Sequence, residues 1–156
     1  TGSIADNLRY GKADATKDDV IYAAKIAQAD EFVSSMKDGY NTMLSEGGLN
    51  LSGGQKQRLS IARALVRRPE IYVFDDSFSA LDFKTDAKLR AALRKETQDA
   101  TVILVAQRVG SIMDADRIIV LDGGTIAGIG THKELLGRCE VYREIVSSQL
   151  SQEEMA

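Results

Sequence analysis

Two short segments of this chain combine residue types that can handle a phosphate and a water molecule. In the first, Leu51-Ser52-Gly53-Gly54-Gln55, a serine stands three residues before a glutamine. Ser52 can cap a helix while Gln55 reaches back to close the cap, and Gly53 and Gly54 leave bare N–H groups at the positive end of the helix dipole. Such an end holds anions, phosphate above all. The same spacing also makes an ordinary helix cap, and S-x-x-Q is common enough that the motif alone does not choose between the two. In the second segment, Ile71-Tyr72-Val73-Phe74 runs into Asp75-Asp76. Carboxylates at the carboxyl end of a buried strand stand where ligands bind in open α/β sheets. The first suits a Mg²⁺ held through water beside nucleotide phosphates, and the second can polarise an attacking water. A turn or capping pair is the competing assignment. The basic residues after the first segment, Lys56, Arg58, Arg63, Arg67 and Arg68, read mostly as a solvated face.

Positioning these residues requires a particular run of elements. The first 45 residues read as helical, with Ile4 to Tyr10 followed by a stretch from about Lys17 to Met36 whose Val20, Ala23, Ala24, Ala27 and Phe32 share one apolar face. Thr16 is its expected N-cap. Leu59, Ile61, Ala62, Ala64, Leu65 and Val66 continue the Ser52 helix until it ends before Pro69. Strand-like runs at Ile71 to Phe74, Thr101 to Val105, Ile118 to Leu121 and Thr125 to Ile129 alternate with helical stretches, and Gly123-Gly124 separates the last two runs. That alternation indicates a sheet covered on both faces and parallel in its core. Thr131-His132-Lys133-Glu134 forms a further capping box, which makes His132, the single histidine, a helix-cap residue at the surface.

Composition narrows the class. The 20 Lys and Arg against 23 Asp and Glu give a net charge of −3, which argues against a broadly basic nucleic-acid surface. No apolar run approaches the roughly 20 residues a bilayer needs, so any membrane role comes through a partner. One cysteine, Cys139, forms neither an internal disulfide nor a soft-metal site.

The combination is more specific than its parts. LSGGQKQRLSIARAL (Leu51 to Leu65) resembles the signature motif and helix of ABC transporter nucleotide-binding domains, with no departure in LSGGQ. IYVFDD (Ile71 to Asp76) resembles the Walker B strand, SALD (Ser79 to Asp82) the D-loop, and Val102 through Gln107 to Gly130-Thr131-His132 the switch-loop strand and tail of that family. TGSIADNLRYG, with Ser45-Glu46-Gly47-Gly48, resembles the exporter branch. The resemblance implies an α/β fold: part of a P-loop-type ATPase domain, with a helical signature region over about 1–66 and Walker B, D-loop, switch loop and carboxyl-terminal helices over about 67–156. It implies ATP and Mg²⁺ as cofactors. Leu51, Ser52, Gly53, Gly54 and Gln55 would bind ATP across a dimer interface, and Asp82 would carry communication over it. Asp75 would hold the metal, Asp76 would position water, and Gln107 would meet the γ-phosphate. The implied partners are a second nucleotide-binding domain and a transmembrane domain, with no nucleic acid, at the cytoplasmic face of the membrane.

Three departures qualify that expectation. The phosphate-cradling G-x-x-x-x-G-K-[ST] loop is absent from these 156 residues, so the chain is expected to be a domain fragment without ATPase activity by itself. Asp76 replaces the family's usual Glu. The missing methylene draws the carboxylate back by about 1.5 Å, and a misplacement near 1 Å can cost roughly a hundredfold in rate. Gln107 replaces the usual His and cannot titrate near neutral pH. An intact signature beside weakened hydrolytic residues resembles the degenerate half of an asymmetric pair, whose partner is a different chain. Tolerated drift in a symmetric enzyme is the alternative to that pairing. An ABC-type ATPase acting on DNA or ribosomes, or a regulatory half with little turnover, are the alternatives to transport.

Overall fold

A computed structural model describes residues 2–153, with side chains through 149. The chain divides into two compact units, Thr1–Ile103 and Leu104–Ala156.

The first unit runs β1 (Gly2–Ser3), α1 (Ile4–Arg9), α2 (Lys17–Ile26), α3 (Asp30–Ser35), β2 (Met43–Leu44), α4 (Gly53–Arg67), β3 (Ile71–Asp75) and α5 (Phe83–Glu96), and β4 (Thr101–Val105) crosses its boundary. β1 and β2 pair antiparallel. Helix α4 packs on α1 and α2, and α5 meets α2. Their apolar stripes supply the core: Ile4, Leu8, Val20, Ala23, Ala24, Leu59, Ile61, Ala62, Leu65 and Val66 are all buried. Each large aliphatic side chain buried here contributes about 1.5–3 kcal/mol.

The stretch read as one helix from Lys17 to about Met36 is two. Gln28 adopts a left-handed φ of 56°, the Ala29 N–H donates to the Ala24 carbonyl at 2.7 Å, and the chain restarts at Asp30. This is a Schellman-type stop built on glutamine where glycine or asparagine is the usual choice. Arg58 steadies it from α4, donating from Nη1 to the Gln28 carbonyl at 2.7 Å while its guanidinium lies 4.7 Å from the centre of the Phe32 ring. Arg58 is therefore half-buried structure, not part of a solvated face, and burial lowers its pKa.

Strands β3 and β4 are hydrogen-bonded neighbours. The Thr101 N–H at the start of β4 donates to the Glu70 carbonyl just before β3, at 2.8 Å. With α5 as the crossover, the pair has the connection and the alignment of starts that parallel strands require. Tyr72 and Phe74 are buried on one face of β3, whereas Ile71 and Val73 remain 59% and 63% exposed on the other. The expected cover on both faces is thus present on one face of this strand.

The second unit is a hairpin with two helices. β5 (Ile118–Asp122) and β6 (Thr125–Gly130) pair antiparallel through Gly123-Gly124, both at positive φ as a type I′ turn demands. A two-residue loop admits no parallel alternative. α6 (His132–Arg138) and α7 (Glu140–Glu153) pack with the hairpin around Val109, Ile118, Val120, Leu135, Cys139 and Tyr142. Thr131, rather than His132, caps α6, while His132 Nδ1 lies 2.8 Å from the Tyr142 hydroxyl and ties α6 to α7. Among the described residues no helix is long and apolar enough to cross a membrane.

Candidate functional site

The Leu51–Gln55 segment folds as its spacing predicts. Leu51 is buried and anchors the approach to α4, and Ser52 is the N-cap with φ −69° and ψ 162°. Its Oγ accepts from the Gln55 N–H at 3.2 Å, while Gln55 Oε1 accepts from the Ser52 N–H at 2.9 Å. Gly53 and Gly54 follow in the first turn, where helix geometry gives their N–H groups no intrahelical partner.

Comparison with the other caps reveals a difference of charge. The described residues contain four capping boxes, at Ser3–Asp6, Thr16–Asp19, Ser52–Gln55 and Thr131–Glu134. Three are closed by carboxylates, and in these the cap hydroxyl also donates to the carboxylate, at 2.6, 2.7 and 3.1 Å. The hydroxyl and backbone hydrogen bonds of Ser3 and Thr16 hold Asp6 and Asp19 below the usual carboxylate range, and the backbone and hydroxyl of Thr131 do so for Glu134. The fourth box is closed by a neutral amide, and no described acceptor takes the Ser52 hydroxyl hydrogen. The start of α4 therefore keeps a hydroxyl donor, two glycine N–H groups and a positive dipole end with no carboxylate in its cap.

The glycines have a second, internal reason to be glycine. A Cβ on Gly54 would stand 2.9 Å from the Ala80 carbonyl oxygen, whereas one on Gly53 would meet only the Ala80 Cβ at 3.5 Å. The loop after β3 thus comes directly under the start of α4. Phe78 and Leu81 anchor that loop in the core, with Phe78 edge-on to Phe74 at 5.6 Å and Arg90 4.8 Å from its ring centre.

Asp75 ends β3 and Asp76 follows with a left-handed φ of 45°; both are exposed. Among the described residues no group of three or more His, Cys, Asp or Glu could hold a metal. An exposed carboxylate such as Asp75 nevertheless fits Mg²⁺, which keeps several waters and takes one or two carboxylates beside substrate phosphates. Asp82 caps α5, accepting from the Thr85 N–H at 3.0 Å, and its hydrogen bonds to the Thr85 side chain and backbone lower its pKa. Leu51 to Gln55, Asp75, Asp76 and Asp82 all lie in the first unit, and Gln107 lies in the second. The Gln107 side chain is exposed, and the Gln107 backbone carbonyl accepts from Gln149 Nε2 at 2.6 Å. Gln149 Oε1 in turn accepts from the Val109 N–H at 2.8 Å, so α7 grips the loop after β4 on both sides of Arg108.

The profile of the ABC transporter family matches residues 2–79. The chain belongs to the ABC transporter family. It is 51% identical over 152 residues to an ABC transporter ATP-binding protein of Mycobacterium tuberculosis, covering 96% of this chain and 26% of that protein. A Bacillus subtilis ABC transporter ATP-binding protein is 44% identical over 153 residues, covering 98% of this chain and 26% of its own length. Among solved structures, a bacterial Atm1-family ABC exporter with ATP bound superposes with a TM-score of 0.93 at 40% identity, over 96% of this chain and 26% of that one. The chain spans about a quarter of the length of these ABC transporter relatives.

Two side chains that hold candidate residues, one in each unit, have no signal in the sequence. Gln149 matches no motif, being a polar residue near the end of α7. Gln57 lies inside the signature helix as one polar residue among several. Its side chain joins the loop after β3, and no spacing rule connects residues 19 to 23 positions apart.

Proposed function

We propose that this chain is the carboxyl-terminal portion of a nucleotide-binding domain in an ABC exporter, with residues 1–66 as its helical signature region and 67–156 as the Walker B, D-loop, switch and tail region. In this reading two such domains close around ATP at the cytoplasmic face of a membrane, and their hydrolytic cycle moves an attached transmembrane domain. Ser52, Gly53, Gly54 and Gln55, seated by Leu51, present hydroxyl and N–H donors to the γ-phosphate of an ATP held by the partner domain. Asp75 holds Mg²⁺ through water, where the ion neutralises phosphate charge. Asp76 orients the attacking water, Gln107 offers its amide to the γ-phosphate, and Asp82 sits at the contact between domains.

The observation that carries this reading is the amide-closed cap. A carboxylate at residue 55 would serve the helix as well or better, as the three acidic boxes demonstrate, yet it would repel a phosphate. Gln55→Glu therefore separates a cap from a phosphate site. In the full-length transporter the variant should keep its melting temperature and lose at least about tenfold in ATP turnover, an effect of about 1.4 kcal/mol. Unchanged turnover would reduce the segment to a helix cap.

Asp76 and Gln107 favour the degenerate member of an asymmetric pair. The partner is then a different chain, with Glu and His at the matching positions, whose ATP site is completed by this chain's signature.

A further inference from the structure

We propose that Gln57 is a positioning residue that couples the signature helix to the Asp76 backbone. It stands on α4 one turn after Gly54, half-buried, and both ends of its amide are engaged. Nε2 donates to the Asp76 carbonyl at 3.2 Å and to Ser79 Oγ at 3.0 Å, and Oε1 accepts from the Ala80 N–H at 2.9 Å. The orientation of the amide is not arbitrary. The Ala80 N–H can only donate and the Asp76 carbonyl can only accept, so a flipped amide would lose both bonds.

The group held is under strain. Asp76 takes a left-handed φ of 45°, a conformation that is strained for a non-glycine residue and persists only where surroundings enforce it. Its carbonyl is held twice, by Gln57 Nε2 and by Ser79 Oγ at 3.1 Å. Ser79 itself receives the second Gln57 bond, so Gln57, Asp76, Ser79 and Ala80 form a closed bracket across the loop. Gly54 allows the close approach, since the Ala80 carbonyl occupies the space its Cβ would need. A shift of α4 therefore pulls on the peptide that aims the Asp76 carboxylate. By this route a contact made at Ser52–Gln55 reaches the hydrolytic side of the same domain.

The hydrogen-bond bracket stands on its own geometry, while its consequence for turnover rests on the proposed function. Two measurements keep them apart. In the full-length protein without nucleotide, Gln57→Ala should speed hydrogen exchange at the Ala80 amide, in the loop after β3, at least tenfold and leave the amides of α4 unchanged. Gln57→Glu retains the acceptor for Ala80 and should leave that amide protected. Unchanged exchange at Ala80 in Gln57→Ala overturns the bracket. For turnover, both variants should lower kcat about twofold, no further than Asp76→Asn does, with the KM for ATP within twofold. In an Asp76→Asn background, Gln57→Ala should cost nothing further, because the residue acts through Asp76. Additive losses, or a changed KM with kcat intact, overturn the positioning role. A full-length parent protein without ATPase activity counts against the proposed function, and the Ala80 exchange then decides the bracket by itself.

Discussion

The start of α4 and the end of β3 lie against each other, yet they are held by different means. At the start of α4, Ser52 and Gln55 satisfy one another within a single turn. At the end of β3, Asp76 keeps its left-handed turn through bonds from Ser79 and from Gln57, the latter 19 residues earlier in the chain. A locally closed cap tolerates change elsewhere and keeps its donors aimed outward. A turn bracketed from another element shifts when that element shifts. The first arrangement suits a surface offered to a partner, and the second suits a carboxylate whose aim responds to the helix that bears that surface.

The largest expected effect tests the junction between the two. Gly54→Ala forces its new Cβ against the Ala80 carbonyl, which belongs to backbone and cannot swing aside. It should destabilise the protein by about 1–3 kcal/mol, net of the helix-propensity gain. Gly53→Ala meets ordinary van der Waals contact and should be neutral or slightly stabilising. Thermal unfolding of the two variants side by side checks this, and equal melting temperatures would remove Ala80 as the reason for glycine at 54.

A smaller effect is expected at the β3 end. On the proposed asymmetric pairing, Asp76→Asn should lower turnover of the assembled transporter only about two- to fivefold, because the shorter carboxylate would be set back from an attacking water. The equivalent Glu→Gln change in a different partner chain should nearly abolish it. Equal losses, or full activity in a homodimer of this subunit, would replace the asymmetric pairing with a symmetric enzyme.

The smallest effect concerns acid. Hydroxyl and backbone hydrogen bonds from Ser3 and Thr16 hold Asp6 and Asp19 below their unfolded values, and the backbone and hydroxyl of Thr131 do the same for Glu134. A carboxylate with a lowered folded pKa contributes stability that is fully present above its unfolded pKa of about 4 and is lost as pH falls through the folded value. Between pH 6 and pH 3 the first turns of α1, α2 and α6 should therefore lose amide protection relative to the first turn of α4, whose box contains no titrating group. Parallel loss at Gln55 would show that charge does not distinguish the four caps.

Much of this was legible in the sequence because it is local. Thr16, Ser52 and Thr131 cap the helices their spacing assigned them, β4 occupies Thr101–Val105 as read, and Asp75 closes its strand. The helix break at Gln28 was not legible. Glutamine rarely takes a left-handed φ, and the arginine that donates to its carbonyl from α4 lies 30 residues away. The exposed face of β3 was misjudged for a related reason: an apolar run shows that a strand can be covered on both faces, not that both covers lie within the same chain segment.

By itself, the sequence determined the α/β order of elements, the family, the neutral cap at Ser52–Gln55 and the carboxylate pair at the end of β3. Hydrogen bonds spanning three residues and apolar periodicities within one element decide these, and neither needs a distant partner. Only the tertiary structure decided that Asp76 turns left-handed, that Gly54 makes room for the Ala80 carbonyl, and that Gln57 joins α4 to the loop beyond β3. Each of these depends on two segments brought together by burial of Leu59, Ile61, Leu65, Phe74 and Phe78. An amide that bonds a loop about 20 residues away becomes a specific contact only after that core has set the distance.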